Sequence, residues 1–278
     1  MASRPLDLLL SYIDEDCPSG DVTSDAVIPG ILCTAAIRSE NEGIIAGLEE
    51  ARMLFSHFGV TISSCRKDGD AVRKGELLIS LSGNARAILL VERTALNVIG
   101  RMSGIATQTK KWSDLVATVN PKCRVAATRK TCPGFRMFDK KAVVIGGGDP
   151  HRFSLSDGVL IKDNHLVLVP PRDAIRLAKA ATLYKKIEVE TESVESAREA
   201  ALAGADIIML DNMTPAEVKE TLNILSREGL RENLVIEISG GVDERTLEEY
   251  AALDIDRISM GALTHTVKNF SVTLEILP

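Results

Sequence analysis

Aromatic residues are scarce in this chain of 278 residues: Phe, Tyr and Trp make up 4%, and there is one Trp. That is too few for the stacking platforms that hold single-stranded nucleic acid. No apolar run reaches the length that spans a bilayer. The N-terminal stretch has one Arg and then an apolar run broken by Asp7, too short for a signal peptide. It reads as the first turns of a helix. Five cysteines (Cys17, Cys33, Cys65, Cys123, Cys132) include no C-x-x-C pair. An odd set without that spacing argues against a disulfide framework or a zinc site, and reduced cytoplasmic thiols are the expectation. Positive charge is in deficit, with a net charge of -6. Neither nucleic acid nor a membrane is therefore expected as a partner.

What the chain does have is apolar bulk. Hydrophobic residues make up 45% and charged residues 26%, enough for a packed soluble core. The length suits one large α/β barrel, or a barrel-sized domain plus a small one. Positive charge is also concentrated. Between Arg124 and His165 stand eight Lys or Arg (Arg124, Arg129, Lys130, Arg136, Lys140, Lys141, Arg152, Lys162) against four Asp, a local balance of +4. Cations gathered at strand ends of an acidic protein point to a small polyanion.

The first third reads as α+β, with strands at 34–39 and 77–81 and a short helix at 51–58. The stretch 68–78 resembles the hairpin of biotinyl and lipoyl carrier domains. No lysine attachment motif accompanies it, so it reads as scaffold. A strong helix is predicted at 85–99, weakened by Gly100 and Gly104, and a second at 105–119. From Lys122 on, apolar runs at 124–127, 159–161, 187–189, 207–210, 234–238 and 257–260 alternate with helix patterns at 172–181, 194–203, 215–227 and 244–252. This alternation predicts a parallel sheet curling into a barrel, incomplete because it falls short of eight units. The resulting fold class is α/β: an N-terminal α+β domain (1–104) and an open α/β barrel (105–265), with 266–278 returning to the first domain as an edge strand.

Reactive groups of parallel barrels sit at the C-terminal ends of strands. Those ends carry Arg129 and Lys130, then Lys162 with His165, Glu190, Asp211 with Asn212, Ser239-Gly240-Gly241, and Gly261-Ala262; a turn adds His151 and Arg152. Arg pairs bidentately with carboxylates and phosphates, and Lys acts as a point charge. Glu190 and Asp211 suit Mg²⁺ or a sugar hydroxyl. Bare backbone N–H groups ahead of helices, at the two small-residue turns, suit a phosphate monoester, aided by the helix N-terminal dipole. Glu188 and Glu190 share one strand face. If that face is interior, a cation or metal partner is implied; otherwise the pair reaches water. Lys140 and Lys141 read equally as surface charge or site, His265 equally as site or helix start, and Gly146-Gly147-Gly148 equally as flexible loop or phosphate cradle. His57 reads as an ordinary helix residue, and Cys132 as incidental.

Several segments together resemble the quinolinate phosphoribosyltransferase family: Glu92-Arg-Thr-Ala-Leu-Asn, Thr128-Arg-Lys-Thr-Cys-Pro-Gly-Phe-Arg, Gly146-Gly-Gly-Asp-Pro-His-Arg, Leu160-Ile-Lys-Asp-Asn-His, Glu188-Val-Glu, Met209-Leu-Asp-Asn-Met, Ser239-Gly-Gly and Gly261-Ala-Leu-Thr-His. They stand in the family's order and cover most of the chain. The resemblance implies an enzyme that joins quinolinate to 5-phosphoribosyl 1-pyrophosphate with Mg²⁺, releasing nicotinate mononucleotide, pyrophosphate and CO₂. It implies a homodimer, or a multiple of it, in which Arg93 serves the neighbour's site. By position, Arg129, His151, Arg152 and Lys162 look like the quinolinate pocket. Lys130 and Lys162 look placed to meet pyrophosphate, Glu190 and Asp211 to hold ribose and Mg²⁺, and Ser239, Gly240, Gly241, Gly261 and Ala262 to hold the 5-phosphate. Lys130, Lys162, Glu190 and Asp211 are the implied catalytic groups. Two departures stand out: Asp149-Pro150, where an Asn commonly precedes the His, and Lys141 in place of an aromatic.

Rival readings keep the fold and change the chemistry: a nicotinate-specific transferase or a relative linked to molybdate transport, a barrel aldolase with Lys162 as Schiff base, or a non-catalytic sensor of phosphorylated metabolites. A second set of cations for a second carboxylate favours quinolinate over the first pair. Borohydride trapping separates the aldolase, and turnover the sensor.

Overall fold

The computed structural model describes residues 5–277, so Met1 to Arg4 of the expected N-terminal helix lie outside the described residues. In chain order the elements are α1 (Pro5–Asp16), α2 (Val22–Val27), β1 (Leu32–Ser39), β2 (Gly43–Ile44), α3 (Leu48–His57), β3 (Thr61–Cys65), β4 (Ala71–Val72), β5 (Leu77–Asn84), α4 (Ala85–Val119), β6 (Arg124–Ala126), α5 (Arg136–Ile145), β7 (Val159–Ile161), α6 (Asp163–Leu166), α7 (Pro171–Ala181), β8 (Ile187–Thr191), α8 (Val194–Leu202), β9 (Ile207–Asp211), α9 (Pro215–Arg227), β10 (Val235–Ser239), α10 (Leu247–Ala251), β11 (Arg257–Ser259), α11 (Ala262–His265) and β12 (Val272–Leu277). They fall into two compact units. The first takes the chain through Lys110, Thr131–Gly147 and the stretch from Leu263 onward; the second takes Lys111–Lys130 and Gly148–Ala262.

The first unit is built on a four-stranded sheet in the order β12-β1-β5-β3. Strand β12 pairs antiparallel with β1, so the end of the chain forms an edge strand of the N-terminal sheet. The two helices expected at 85–99 and 105–119 are one helix, α4, of 35 residues. Gly100 and Gly104 do not break it. A Cβ at Gly100 would meet the Phe270 carbonyl oxygen at 2.9 Å, and one at Gly104 the Lys268 carbonyl oxygen at 2.3 Å. The glycines therefore serve a close backbone approach, and the Phe270 N–H donates to the Gly100 carbonyl at 2.8 Å. Gly146 works in the same way. It ends α5, and a Cβ there would meet the Ala106 oxygen at 2.5 Å. It is a packing glycine, neither loose loop nor cradle.

The second unit holds six strands, all parallel, in the order β6-β11-β10-β9-β8-β7. All six were legible because strands covered on both faces read as apolar runs. The ring is open between β6 and β7. There Asp149 makes a single parallel bridge to Ala126, with Ala127 N–H on the Asp149 oxygen at 2.9 Å and Asp149 N–H on the Val125 oxygen at 2.8 Å. Helix α9 starts as its sequence dictates. Thr214 is the N-cap, Pro215 follows it, and Glu217 returns a carboxylate to the Thr214 N–H at 2.8 Å. The helix expected at 244–252 is shorter. Asp243 Oδ1 takes the Arg245 and Thr246 N–H groups at 2.9 and 3.2 Å, and this turn delays α10 to Leu247.

Candidate active site

At the C-terminal ends of the barrel strands lies a cavity of about 310 Å³. Eight of the expected site residues line it: Arg129, Lys130, His151, Arg152, Lys162, Glu190, Asp211 and Ser239. They come from six places around the ring, at or just past the strand ends and in the segment that fills the gap. Lys162 follows β7, Glu190 belongs to β8, Asp211 ends β9 and Ser239 ends β10. Arg129 and Lys130 follow β6, and His151 and Arg152 belong to the segment that fills the gap.

The cationic side of the cavity sets two guanidinium groups beside each other. Arg129 Nε is buried and without a hydrogen-bond partner. Burial, and then the neighbouring Arg129, push the Arg152 guanidinium below its ordinary value. Two guanidinium groups this close gain from an anion between them. Across the cavity, Lys162 Nζ pairs with Glu190 Oε2, and Asp211 Oδ2 accepts from Asn212 Nδ2 at 2.8 Å.

Beneath this mouth the barrel interior carries charges that the sequence reading passed over. Glu237 is fully buried and also lines the cavity, as does Ser259. Glu237 Oε2 lies 3.2 Å from His151 Nε2 and 3.0 Å from Arg257 Nη1, and Ser259 donates to its other oxygen. Burial raises a carboxyl pKa, but His151 and Arg257 hold Glu237 below the usual carboxylate range. Glu188, 4% exposed, lies 3.7 Å from His151 Nε2, and its Oε1 has no partner. Burial, together with the nearby Glu237 charge, pushes it up. The cation partner expected for the Glu188–Glu190 face is therefore split in two: His151 for the first and Lys162 for the second. Burial opposes charge on His151, yet the carboxylates of Glu188 and Glu237 outweigh it and raise the imidazole pKa; the Arg152 N–H on Nδ1 pulls the other way, because that bond exists only while Nδ1 is unprotonated.

Single nitrogen and oxygen atoms of His151, Glu188 and Glu237 lie within 4.8 Å of one another, a metal-like spacing. The geometry disfavours a metal there. Arg152 N–H donates to His151 Nδ1 at 2.8 Å, so in the neutral ring the hydrogen sits on Nε2, and in the charged ring Nε2 also carries one. In both states Nε2 is a donor to the carboxylates rather than a ligand.

Other expectations are placed elsewhere. Gly240 and Gly241 have positive φ (78° and 65°), and a Cβ on Gly240 would overlap Asn212 Oδ1 at 2.2 Å. The helices after the two small-residue turns are short: α10 has five residues and starts at Leu247, and α11 has four. A phosphate there would rest on loop N–H groups, not on the helix dipole expected from sequence. Arg93 is an exposed residue of α4 in the first unit. Lys141 Nζ, also in that unit, sits 2.5 Å from Glu49 and 2.7 Å from Glu50, and Lys140 is buried. His57 ends α3, and His265 ends α11 rather than starting it.

A gapped parallel barrel whose strand ends present guanidinium, ammonium and carboxylate groups to one hollow is built for small polyanionic substrates. Residues 21–103 match the N-terminal domain of quinolinate phosphoribosyl transferase, and residues 105–275 match its C-terminal domain. A protein of Methanothermobacter thermautotrophicus named "Probable nicotinate-nucleotide pyrophosphorylase [carboxylating]" is 44% identical over 274 residues, covering 98% of each chain. The human "Nicotinate-nucleotide pyrophosphorylase [carboxylating]" is 33% identical, over 97% of this chain and 90% of its own. The crystal structure of nicotinate-nucleotide pyrophosphorylase from Ehrlichia chaffeensis superposes with a TM-score of 0.93 at 31% identity, covering 100% of both chains. The chain belongs to the quinolinate phosphoribosyl transferase family.

Proposed function

We propose that this chain joins quinolinate to 5-phosphoribosyl 1-pyrophosphate and releases nicotinate mononucleotide, pyrophosphate and CO₂, a step of NAD synthesis. The observation that carries this reading is the neighbouring pair Arg129 and Arg152 in a cavity that also presents Lys130, Lys162, Glu190 and Asp211. Quinolinate brings two carboxylates to the guanidinium side. The sugar diphosphate brings its leaving group to Lys130 and Lys162. As the C1–O bond breaks, positive charge grows on the ribose, and Glu190 and Asp211 offset it. The pyridine nitrogen takes the C1 position. The resulting pyridinium draws electrons from the adjacent carboxylate, CO₂ leaves, and the ring carbon takes a proton from water. The chain's work is positioning and charge; no covalent nucleophile is needed.

Glu190 and Asp211 fit Mg²⁺. The ion takes one or two protein carboxylates and completes its shell with water and substrate phosphates, and two carboxylates on neighbouring strands open onto one hollow. Bound there, it would neutralise charge on the diphosphate. Ser239 with the Gly240, Gly241, Gly261 and Ala262 turns would take the 5-phosphate on backbone N–H groups. We place the enzyme in the cytoplasm, in keeping with free Cys17, Cys33, Cys123 and Cys132 and with no helix of the described residues long and apolar enough to cross a membrane. It works as a homodimer or a multiple of one, with exposed Arg93 serving the neighbour's site.

The test is production of CO₂ and nicotinate mononucleotide from quinolinate, with nicotinate as control; turnover of nicotinate alone overturns the reading. Arg152→Ala is expected to weaken quinolinate binding by about 2–5 kcal/mol while sparing the sugar diphosphate, since it strands an anion in a half-buried site. Calorimetric titration of each substrate checks this. Mixing inactive Arg93→Ala and Lys162→Ala subunits is expected to restore some activity. Mixed dimers that form and stay inactive would remove Arg93 from the neighbour's site.

A further inference from the structure

His151 has a backbone that a side chain resists. Its φ is 54°, in the left-handed region, where a non-glycine residue is strained and persists only if its surroundings over-determine it. Three contacts do so. Asp149 Oδ1 accepts the His151 backbone N–H at 2.7 Å, Glu237 takes the Nε2 side of the ring at 3.2 Å, and Nδ1 receives the Arg152 N–H at 2.8 Å. Pro150 adds stiffness, fixing its own φ and keeping Asp149 extended, as its bridge to Ala126 requires.

Both acids in this set end on one residue. Arg257 Nη2 lies 3.3 Å from Asp149 Oδ2, and its Nη1 lies 3.0 Å from Glu237 Oε2. The contacts close into a loop: Arg257 to Asp149, Asp149 to the His151 backbone, the His151 ring to Glu237, and Glu237 back to Arg257. Arg257 opens β11 and does not line the substrate cavity. It faces a second hollow of about 220 Å³, beside Val159 and Ile207, whose lining shares His151 and Arg152 with the substrate cavity. Its reach to the substrate side is through others.

We propose that Arg257 is a positioning residue for the edge of the site that receives the aromatic diacid: by bridging Asp149 and Glu237 it holds His151, and through His151 the amide of Arg152, in place. The reading rests on the proposed quinolinate chemistry for the identity of that ligand. It also gives the unusual Asp149-Pro150 pair a purpose. Asp149 supplies the carboxylate that carries the tether, and Pro150 holds the turn rigid.

A merely structural Arg257 would neutralise Glu237 and nothing more, so the test must separate the two roles. Arg257→Met keeps much of the apolar stem and removes the charge. It is expected to raise KM for quinolinate about tenfold, the lower end of what loss of an outer-shell partner costs, while KM for the sugar diphosphate stays within about twofold. Arg257→Lys is expected to recover part of that loss. Asp149→Asn, which removes the bridged charge with little change of shape, is expected to move the same KM in the same direction, and it keeps the test alive should Arg257→Met fail to fold. Long-range ¹⁵N spectra of the histidines, with His151 assigned from His151→Gln, give a readout independent of turnover. Arg257→Met or, failing it, Asp149→Asn is expected to shift the His151 ring nitrogens. Equal changes in both KM values, an unchanged quinolinate KM, or unmoved His151 nitrogens overturn the proposal. A wild-type protein that does not turn over quinolinate sinks the functional reading instead, and the spectra still report on the tether.

Discussion

Lys162→Met is expected to lower kcat/KM about 10²–10³-fold while leaving the fold intact, the range seen when one preorganised group aimed at developing charge is lost. Lys162 stands at the end of β7, half-exposed over the cavity, with its ammonium on Glu190. Methionine keeps the stem and removes two effects together. On the proposed chemistry the leaving diphosphate loses a cation, and the Glu190 carboxylate, 8% exposed, is left without its partner in the same hollow. Both changes raise the barrier, so kcat is expected to fall along with substrate affinity. Steady-state kinetics against both substrates check this. Activity within about tenfold of wild type would remove Lys162 from the catalytic groups.

The largest stability effect is expected in the first unit, at Arg101→Met. Asp139 is fully buried in α5 and grips Arg101 with both oxygens, at 2.8 and 2.9 Å; Arg101 also donates to the Thr264 carbonyl at 2.9 Å. Removing one partner of a buried pair costs about 3–5 kcal/mol, because the other charge stays in the interior. The pH dependence has a definite sign. Burial raises the Asp139 pKa and Arg101 opposes it, with a net position above the ordinary value. Without Arg101 the opposition is gone, and folded Asp139 holds its proton more tightly still. A raised folded pKa gives stability that is present below the unfolded value and lost as pH rises through the folded one. The deficit of Arg101→Met against wild type is therefore expected to be smaller near pH 4 than near pH 7. Denaturant unfolding at the two pH values checks this; an equal deficit at both would mean that lost packing, not the stranded carboxylate, sets the cost.

The barrel was legible in sequence where burial leaves a mark, and the site where chemistry sits at strand ends. Six apolar runs became six parallel strands, and Arg129, Lys130, Lys162, Glu190 and Asp211 met in one cavity because each follows or ends such a run. What was missed sits deeper. Glu237, in Val-Ile-Glu-Ile-Ser, carries the same signal that singled out Glu188, a charge inside an apolar strand, but no strand-end position drew attention to it. Arg257 at the start of β11 drew no reading, since nothing local shows that Asp149 and Glu237 wait on the inner face. Gly100 and Gly104 read as weak points of a helix because the segment that needs their bare surface lies more than a hundred residues further on.

The interior acids make substrate preference hard to drift. Three carboxylates, from Asp149, Glu188 and Glu237, gather around one histidine and one arginine. An apolar replacement of His151, the simplest way to admit a ligand with one acidic group fewer, would leave an excess of negative charge sealed in the barrel. On the proposed reading, selection for a new ligand on that edge would have to change several positions together, so what that edge accepts would be set from inside the fold as much as at the surface the ligand touches.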